Sequence, residues 1–288
     1  MLTSLTNERV KLVRALQAQR KMREKEGRFV IEGARLVEEA LRANAKFDFV
    51  FYTADPDDRT RGALGRLREI GATAIEVSPQ VMKACADTES PQGVLGVVFA
   101  PTPGPSPVAE QHRDRRGESA PTPPHPHTPL ILICDHLSDP GNLGTLLRAA
   151  AAAGANAALL APGCVDAFNP KVVRGGMGAH FRLQIESLDW NQISDRTRDS
   201  RVRLADMESP IRNLPREAAT RYDLANWTLP SALIIGSEAD GPSDSARALA
   251  AETVFIPMPG GTESLNAAMA GVIILFEAVR QRGAMREA

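Results

Sequence analysis

The stretch that decides the fold is "DHLSDPGNLGTLLRAAAAAGA", Asp135 to Ala155, which follows the apolar run "LILIC" at 130–134. The apolar run reads as a buried strand and the alanine-rich stretch as a helix. Between them, Asp139-Pro140-Gly141-Asn142-Leu143-Gly144 is a turn of residues that punctuate structure. A strand, a tight turn and a helix are the unit of a parallel α/β sheet. Arg148 is the anomaly, a cation inside an otherwise apolar helix. Asp139 and Asn142 could cap the helix while Arg148 pairs with an acid. Alternatively the turn and Arg148 face a ligand.

Downstream of that unit, "NAALLAP", "RLQIES", "VRLADM", "SALIIGS" and "TVFIPM" read as further short apolar strands. Helical patterns, among them "SDSARALAAE" and "SLNAAMAGVIILFEAVRQ", lie between or after them. Apolar strands alternating with helices predict a parallel sheet covered on both faces. Ligands on such sheets sit beyond the carboxyl ends of the strands. Two more strand exits carry unusual chemistry. "LIIGSEADGPS" (233–243) puts Gly236 directly after a strand, where backbone can approach a ligand, and supplies Glu238 as an acceptor. "FIPMPGGTESLNAAMAGVIILFEAV" (255–279) predicts a helix starting at Ser264, with Asn266 a poor residue for the interior of so apolar a helix.

Upstream, residues 1–100 alternate helix and strand signals: "NERVKLVRALQAQ", "RFVIEG", "GARLVEEALRAN", "FDFVFYT", "RGALGRLREIG", "TAIEVS" and "ESPQGVLGVVFA". That is a small α/β domain of ordinary size. Residues 101–129 hold nine of the 21 prolines and almost no large apolar side chains, which predicts an extended, flexible linker. The domain boundaries are therefore 1–100, 101–129 and 130–288. From Met1 to Arg28 eight Lys/Arg face three acids, so the net charge of −1 hides a basic end that could grip RNA or simply be a solvated helix face.

Several classes are excluded. No apolar run is long enough to span a membrane. Three scattered cysteines (Cys85, Cys134, Cys164) make neither a disulfide framework nor a zinc site, and fit a reducing compartment. No dinucleotide or P-loop glycine pattern occurs, and no cluster of metal ligands is expected; His125 and His127 stand alone in the proline-rich linker.

The three exits in order resemble the three motifs of the SpoU (TrmH-type) RNA ribose 2′-O-methyltransferases, in the knotted SPOUT superfamily. "DPGNLGTLLRAA" looks like the first motif, "IIGSEADG" the second and "IPMPGGTESLNAAMA" the third. "NPKVVRGGMGAHFRL" is similar to the segment after the second strand, matching at Lys171, Val173, Arg174, Gly178 and Phe181. Residues 5–98 resemble the family's ribosomal-protein-like RNA-binding domain. Ala239 replaces a usual glycine of the second motif, and Pro242 stands where a larger apolar residue is common.

The resemblance implies an RNA-modifying enzyme with S-adenosylmethionine as methyl donor, a carboxy-terminal trefoil knot and a homodimer; a cytoplasmic location and no metal are the accompanying expectations from the cysteines and the lack of ligand clusters. It implies cofactor contacts at Gly236, Ile256, Met258, Leu265 and Asn266, and catalytic roles for Arg148, Asn142, Ser264, Asn266 and Glu238. Large-subunit rRNA is the expected substrate, with transfer RNA the alternative. A guanidinium is normally always charged. Arg148 therefore acts either as a base lowered by its surroundings or as a clamp on RNA phosphate and the developing alkoxide. A catalytically silent RNA-binding or ribosome-assembly protein on the same fold, and a nucleotide-binding metabolic enzyme, are the competing readings.

Overall fold

The computed structural model describes residues 1–101, 128–206, 219–237 and 241–284. The expected linker at 101–129, His125 and His127 included, falls almost wholly outside the described residues. The chain forms two compact units, which are described in turn.

The first unit comprises residues 1–101 together with 166–181. Its sheet has the order β1-β4-β2-β3, from β1 (Arg28–Glu32), β2 (Phe47–Tyr52), β3 (Ala74–Glu76) and β4 (Val94–Phe99). β4 pairs antiparallel with β1 and β2, and β2 parallel with β3. Both faces are covered. On one lie α1 (Glu8–Ala18) and α5 (Pro79–Cys85), whose Val10, Val13, Leu16, Val81 and Met82 share a core with Phe49, Phe51 and Val97. On the other lie α3 (Ala34–Arg42) and α4 (Asp58–Glu69), packed around Phe29, Ile31 and Val50. A short α2 (Arg20–Glu26) ends at Gly27, whose φ of 58° suits a residue without a Cβ.

Residues 166–181 complete that second core. α7 (Pro170–Gly176) starts at Asn169, whose side chain accepts the Lys171 N–H, and contributes Val173 to the core. Phe168 and Phe181 stack around Phe29 at 5.0 and 5.8 Å between ring centres. Arg23, 7% exposed, pairs with Asp166 at 2.6 Å. The basic end is thus partly committed internally. Arg23 is buried, Arg28 pairs with Glu26 and Asp48, Arg20 with Glu24 and Lys11 with Glu8. Arg9, Arg14, Lys21 and Lys25 stay exposed.

The second unit is a seven-stranded, all-parallel sheet of order β7-β6-β5-β10-β8-β11-β9. Its strands are β5 (Leu130–Cys134), β6 (Ala157–Leu160), β7 (Gln184–Ser187), β8 (Arg201–Ala205), β9 (Thr220–Arg221), β10 (Ser231–Ile235) and β11 (Glu252–Phe255). The helices are α6 (Pro140–Ala152), α8 (Trp190–Arg196), α9 (Asp244–Leu249) and α10 (Ala267–Ala284). β5 and β10 are buried at every residue, as continuous apolar runs require when both faces are covered. α10 packs on α6 and β10, and Gly271 permits the approach: a Cβ there would lie 2.3 Å from Leu146 Cδ2.

One boundary differs from expectation. α10 begins at Ala267, not Ser264, so Asn266 is not inside the helix. Its Oδ1 accepts the Met269 N–H at 3.1 Å, the bond of a helix cap. A poor helix former therefore sits where its side-chain oxygen is useful to the backbone.

Candidate active site

The second unit places a cavity of about 240 Å³ beyond the carboxyl ends of β8, β10 and β11. Its walls include Gly236, Ser237, Gly241 and Pro242 after β10, Ile256 and Met258 after β11, and Ser264 and Leu265 before α10. Four expected cofactor positions, Gly236, Ile256, Met258 and Leu265, thus line one space. The floor is apolar, from Ile235, Val254 and Ile274, while Asp206 and Glu263 bring carboxylates to the rim. Gly236 has no room for a side chain: a Cβ would lie 3.1 Å from both the N and Cα of Pro242.

The motif-one turn is built on Asp139, whose side chain accepts the Asn142 N–H at 2.7 Å and caps α6, with Pro140 in its first turn. Asn266 Nδ2 donates to Asn142 Oδ1 at 2.9 Å, joining turns 124 residues apart. Arg148 lies two turns further on, on the exposed face of α6, with no ion pair or hydrogen bond among the described residues. Neither Asn142, Arg148 nor Asn266 lines the cavity. Ser264 is exposed at its lip. Glu238, with Ala239, lies outside the described residues.

Two carboxylates escaped the sequence reading. Asp135 is wholly buried; its Oδ2 accepts the Ser243 N–H and its Oδ1 the His136 Nδ1–H, both at 2.7 Å. Asp206 Oδ2 accepts from Arg247 Nη1 at 2.9 Å. The signal was present, since each Asp directly follows an apolar strand, in "LILICD" and "VRLAD". The nearby thiols offer no nucleophile. Burial pushes Cys164 up to about 11 and holds Cys134 well above the ordinary thiol value, and Cys164 Sγ donates to the Cys134 carbonyl at 3.2 Å.

Comparison with known proteins places this architecture. The SpoU rRNA Methylase family matches residues 129–276, and the MRM3-like substrate binding domain matches residues 7–96. The chain belongs to the SpoU rRNA methylase family. It is 34% identical over 316 residues to mouse (Mus musculus) mitochondrial rRNA methyltransferase 3, covering 95% of this chain and 72% of that protein. It is 28% identical to the Bacillus subtilis (strain 168) 23S rRNA (guanosine(2553)-2′-O)-methyltransferase RlmP, covering 95% of this chain and 96% of the relative. Among solved structures, the AdoMet-bound rRNA methyltransferase of Sinorhizobium meliloti superposes with a TM-score of 0.76 at 28% identity, over 97% of each chain. The parallel sheet and its three chemically unusual exits are thus a family architecture.

Proposed function

We propose that this protein is an S-adenosylmethionine-dependent RNA ribose 2′-O-methyltransferase acting on ribosomal RNA, most plainly that of the large subunit. The observation that carries the reading is the convergence of the three exits. The second and third form one cavity, and the Asn142–Asn266 bond ties the third to the first. The substrate class is supported by the names of the mouse and B. subtilis relatives, which match over nearly the whole chain.

The cavity fits the cofactor chemically. It offers an apolar floor for a purine, backbone close by at Gly236, and Asp206 and Glu263 to meet hydroxyls and positive charge. Bound there, S-adenosylmethionine would supply an electrophilic methyl group on a sulfonium. The chain's own task is to align a ribose 2′-hydroxyl and accommodate its proton and developing charge. Arg148, exposed and without an acid partner among the described residues, presents a positive charge to RNA phosphate and to the oxygen as it loses its proton. Asn142 and Asn266 hold each other at the start of α6 and α10, which fixes the approach of the ribose. Ser264 and Glu238 belong to the same proposal by their places in the third and second motifs.

The homodimer is part of this reading. Met269, Ile273, Phe276 and Val279 recur at helical spacing on α10 and are 61, 36, 45 and 36% exposed, an apolar strip suited to a second copy. The trefoil knot belongs to it as well, supported by the match of residues 129–276 to the SpoU rRNA Methylase family. A cytoplasmic location is proposed on the three free cysteines. No helix among the described residues is long and apolar enough to cross a membrane.

The test is transfer of labelled methyl from S-adenosylmethionine to unmodified rRNA and, separately, transfer RNA. Alkali-resistant label in rRNA, lost in Arg148→Ala and not restored by Arg148→Lys, is expected. Failure to bind S-adenosylmethionine would refute the reading.

A further inference from the structure

Asp135 directly follows β5 and is fully buried, yet it does not line the cavity. Complete burial of a carboxylate costs several kcal/mol unless its oxygens are satisfied. An apolar side chain at this strand end would avoid that cost, so the carboxylate is explained by what it holds. Oδ2 accepts the backbone N–H of Ser243, 108 residues away, at 2.7 Å. Oδ1 accepts from His136 Nδ1 at 2.7 Å. The His136 ring is seated against Gly163, where a Cβ would come within 2.4 Å of its Cδ2. The Asp135 N–H donates to the Ile235 carbonyl at 2.9 Å, carrying the β5–β10 ladder one step beyond the strands. Asp135 is therefore held at two points, its backbone N–H and Oδ1, before it meets Ser243.

Ser243 is the last residue of the loop that follows β10. The two legs of that loop meet at the Ser237–Gly241 bridge and where Gly236 packs on the Pro242 backbone. Gly236, Ser237, Gly241 and Pro242 all line the cavity. The hydrogen bond from Ser243 thus anchors the returning leg from the β5 side. The Arg247–Asp206 pair at 2.9 Å anchors the following helix, α9, from the β8 side.

We propose that Asp135 is a positioning residue for the cofactor cavity. By accepting the Ser243 N–H it holds Gly241 and Pro242 against Gly236 and Ser237 in the shape that makes the cavity wall. This rests on the assignment of the cavity to S-adenosylmethionine. The consequence falls on cofactor affinity and leaves RNA affinity unchanged, since the residue is buried and holds a cofactor wall.

Calorimetric titration of S-adenosylmethionine into the 288-residue chain tests this. Asp135→Ala is expected to bind about 10- to 100-fold more weakly than wild type, the loss of a charge-assisted hydrogen bond. Asp135→Asn, whose amide oxygen can still accept from Ser243, should recover part of that loss. Ser243→Pro deletes the amide hydrogen at a φ of −66°, which proline adopts, and should match Asp135→Ala. The double variant should be no weaker than either single one. Ser243→Ala keeps the amide and loses only the hydroxyl cap on Ala246, so it should stay close to wild type. Filter binding to rRNA should not change in any variant. A folded Asp135→Ala chain that binds the cofactor within twofold of wild type overturns the inference, as does Ser243→Ala weakening binding as much as Ser243→Pro. If Asp135→Ala does not fold, the proline and alanine variants at Ser243 decide it alone. A wild-type chain that binds no S-adenosylmethionine removes the cofactor reading, and this inference with it.

Discussion

Replacing Gly236 by alanine probes the cavity wall with a single methyl group. Gly236 is not among the glycines with positive φ, so alanine suits its backbone and the effect is steric. The new Cβ would stand 3.1 Å from Pro242 N and Cα and 3.2 Å from Cγ, where carbon contacts are comfortable at about 3.5–4.0 Å. Two of those three atoms are backbone and cannot rotate away, so the legs of the loop must part by about half an ångström. Overpacking of this kind costs about 1–3 kcal/mol. If the loop yields, the cost appears as cofactor affinity, roughly 5- to 150-fold. If it does not, the cost appears as stability, at about 2–4 °C in Tm per kcal/mol for a domain of this size. Calorimetry and thermal unfolding on the same preparation separate the two. Unchanged affinity together with unchanged Tm would refute the claim that Gly236 is required by close packing against Pro242.

Three further outcomes follow from residues outside the cavity. His180 is buried and held neutral, with burial lowering it from 6.5 to about 4. Between those values the unfolded chain takes up a proton that the folded chain refuses. Stability therefore falls as pH drops from about 6.5 to about 4, by about 3 kcal/mol in all, and His180→Phe should remove that slope in denaturant titrations. Arg203, 1% exposed, donates to Glu252, Ser231 Oγ and the Asn226 carbonyl and lies 4.6 Å from the Trp227 ring. Arg203→Leu strands those partners and should cost about 3–5 kcal/mol by urea unfolding, with no change in the cofactor affinity of the folded chain. Phe276→Asp, on the exposed strip of α10, should convert a dimer to a monomer in sedimentation without lowering monomer stability.

How far each element was legible depended on length and on partner distance. The strands β5 and β10 declared themselves as uninterrupted apolar runs, because a sheet covered on both faces has no polar side to display. β9 is two residues at the sheet edge and carries no periodicity to read. The helices α5, α7 and α8 are seven residues each, too short for an amphipathic pattern, although their caps were written plainly. Ser78-Pro79 opens α5, Asn169-Pro170 opens α7, and Asp189 with Gln192 forms a capping box on α8. In the site, the motif turns were visible as turns. The Asn142–Asn266 bond was not, because no local rule links residues 124 apart. Asn266 reads as interior to a helix for a local reason as well: the apolar run that follows it, from Ala267, begins without a visible stop.

The two ends of the parallel sheet divide the work between fixing the fold and forming the site. At the amino ends of the strands, Arg203 is enclosed by Glu252, Ser231 and Trp227, while Arg282 donates to the carbonyls of Thr128, Pro129, Trp227 and Leu229. These guanidiniums meet acceptors that loops entering the sheet would otherwise leave unpaired, and burial lowers both from the ordinary guanidinium value without a ligand being needed. At the carboxyl ends the polar groups are arranged differently. Asp135 and Asp206 satisfy backbone and side-chain donors around a cavity that Asp206 lines and Asp135 does not, and Arg148 stays exposed on α6. A buried arginine with all three guanidinium nitrogens engaged is a structural device, whereas an exposed one without a partner among the described residues has its charge available. The same residue type is thus assigned opposite roles by its hydrogen bonds, and Arg203→Leu and Arg148→Ala should divide accordingly, the first losing stability and the second losing turnover.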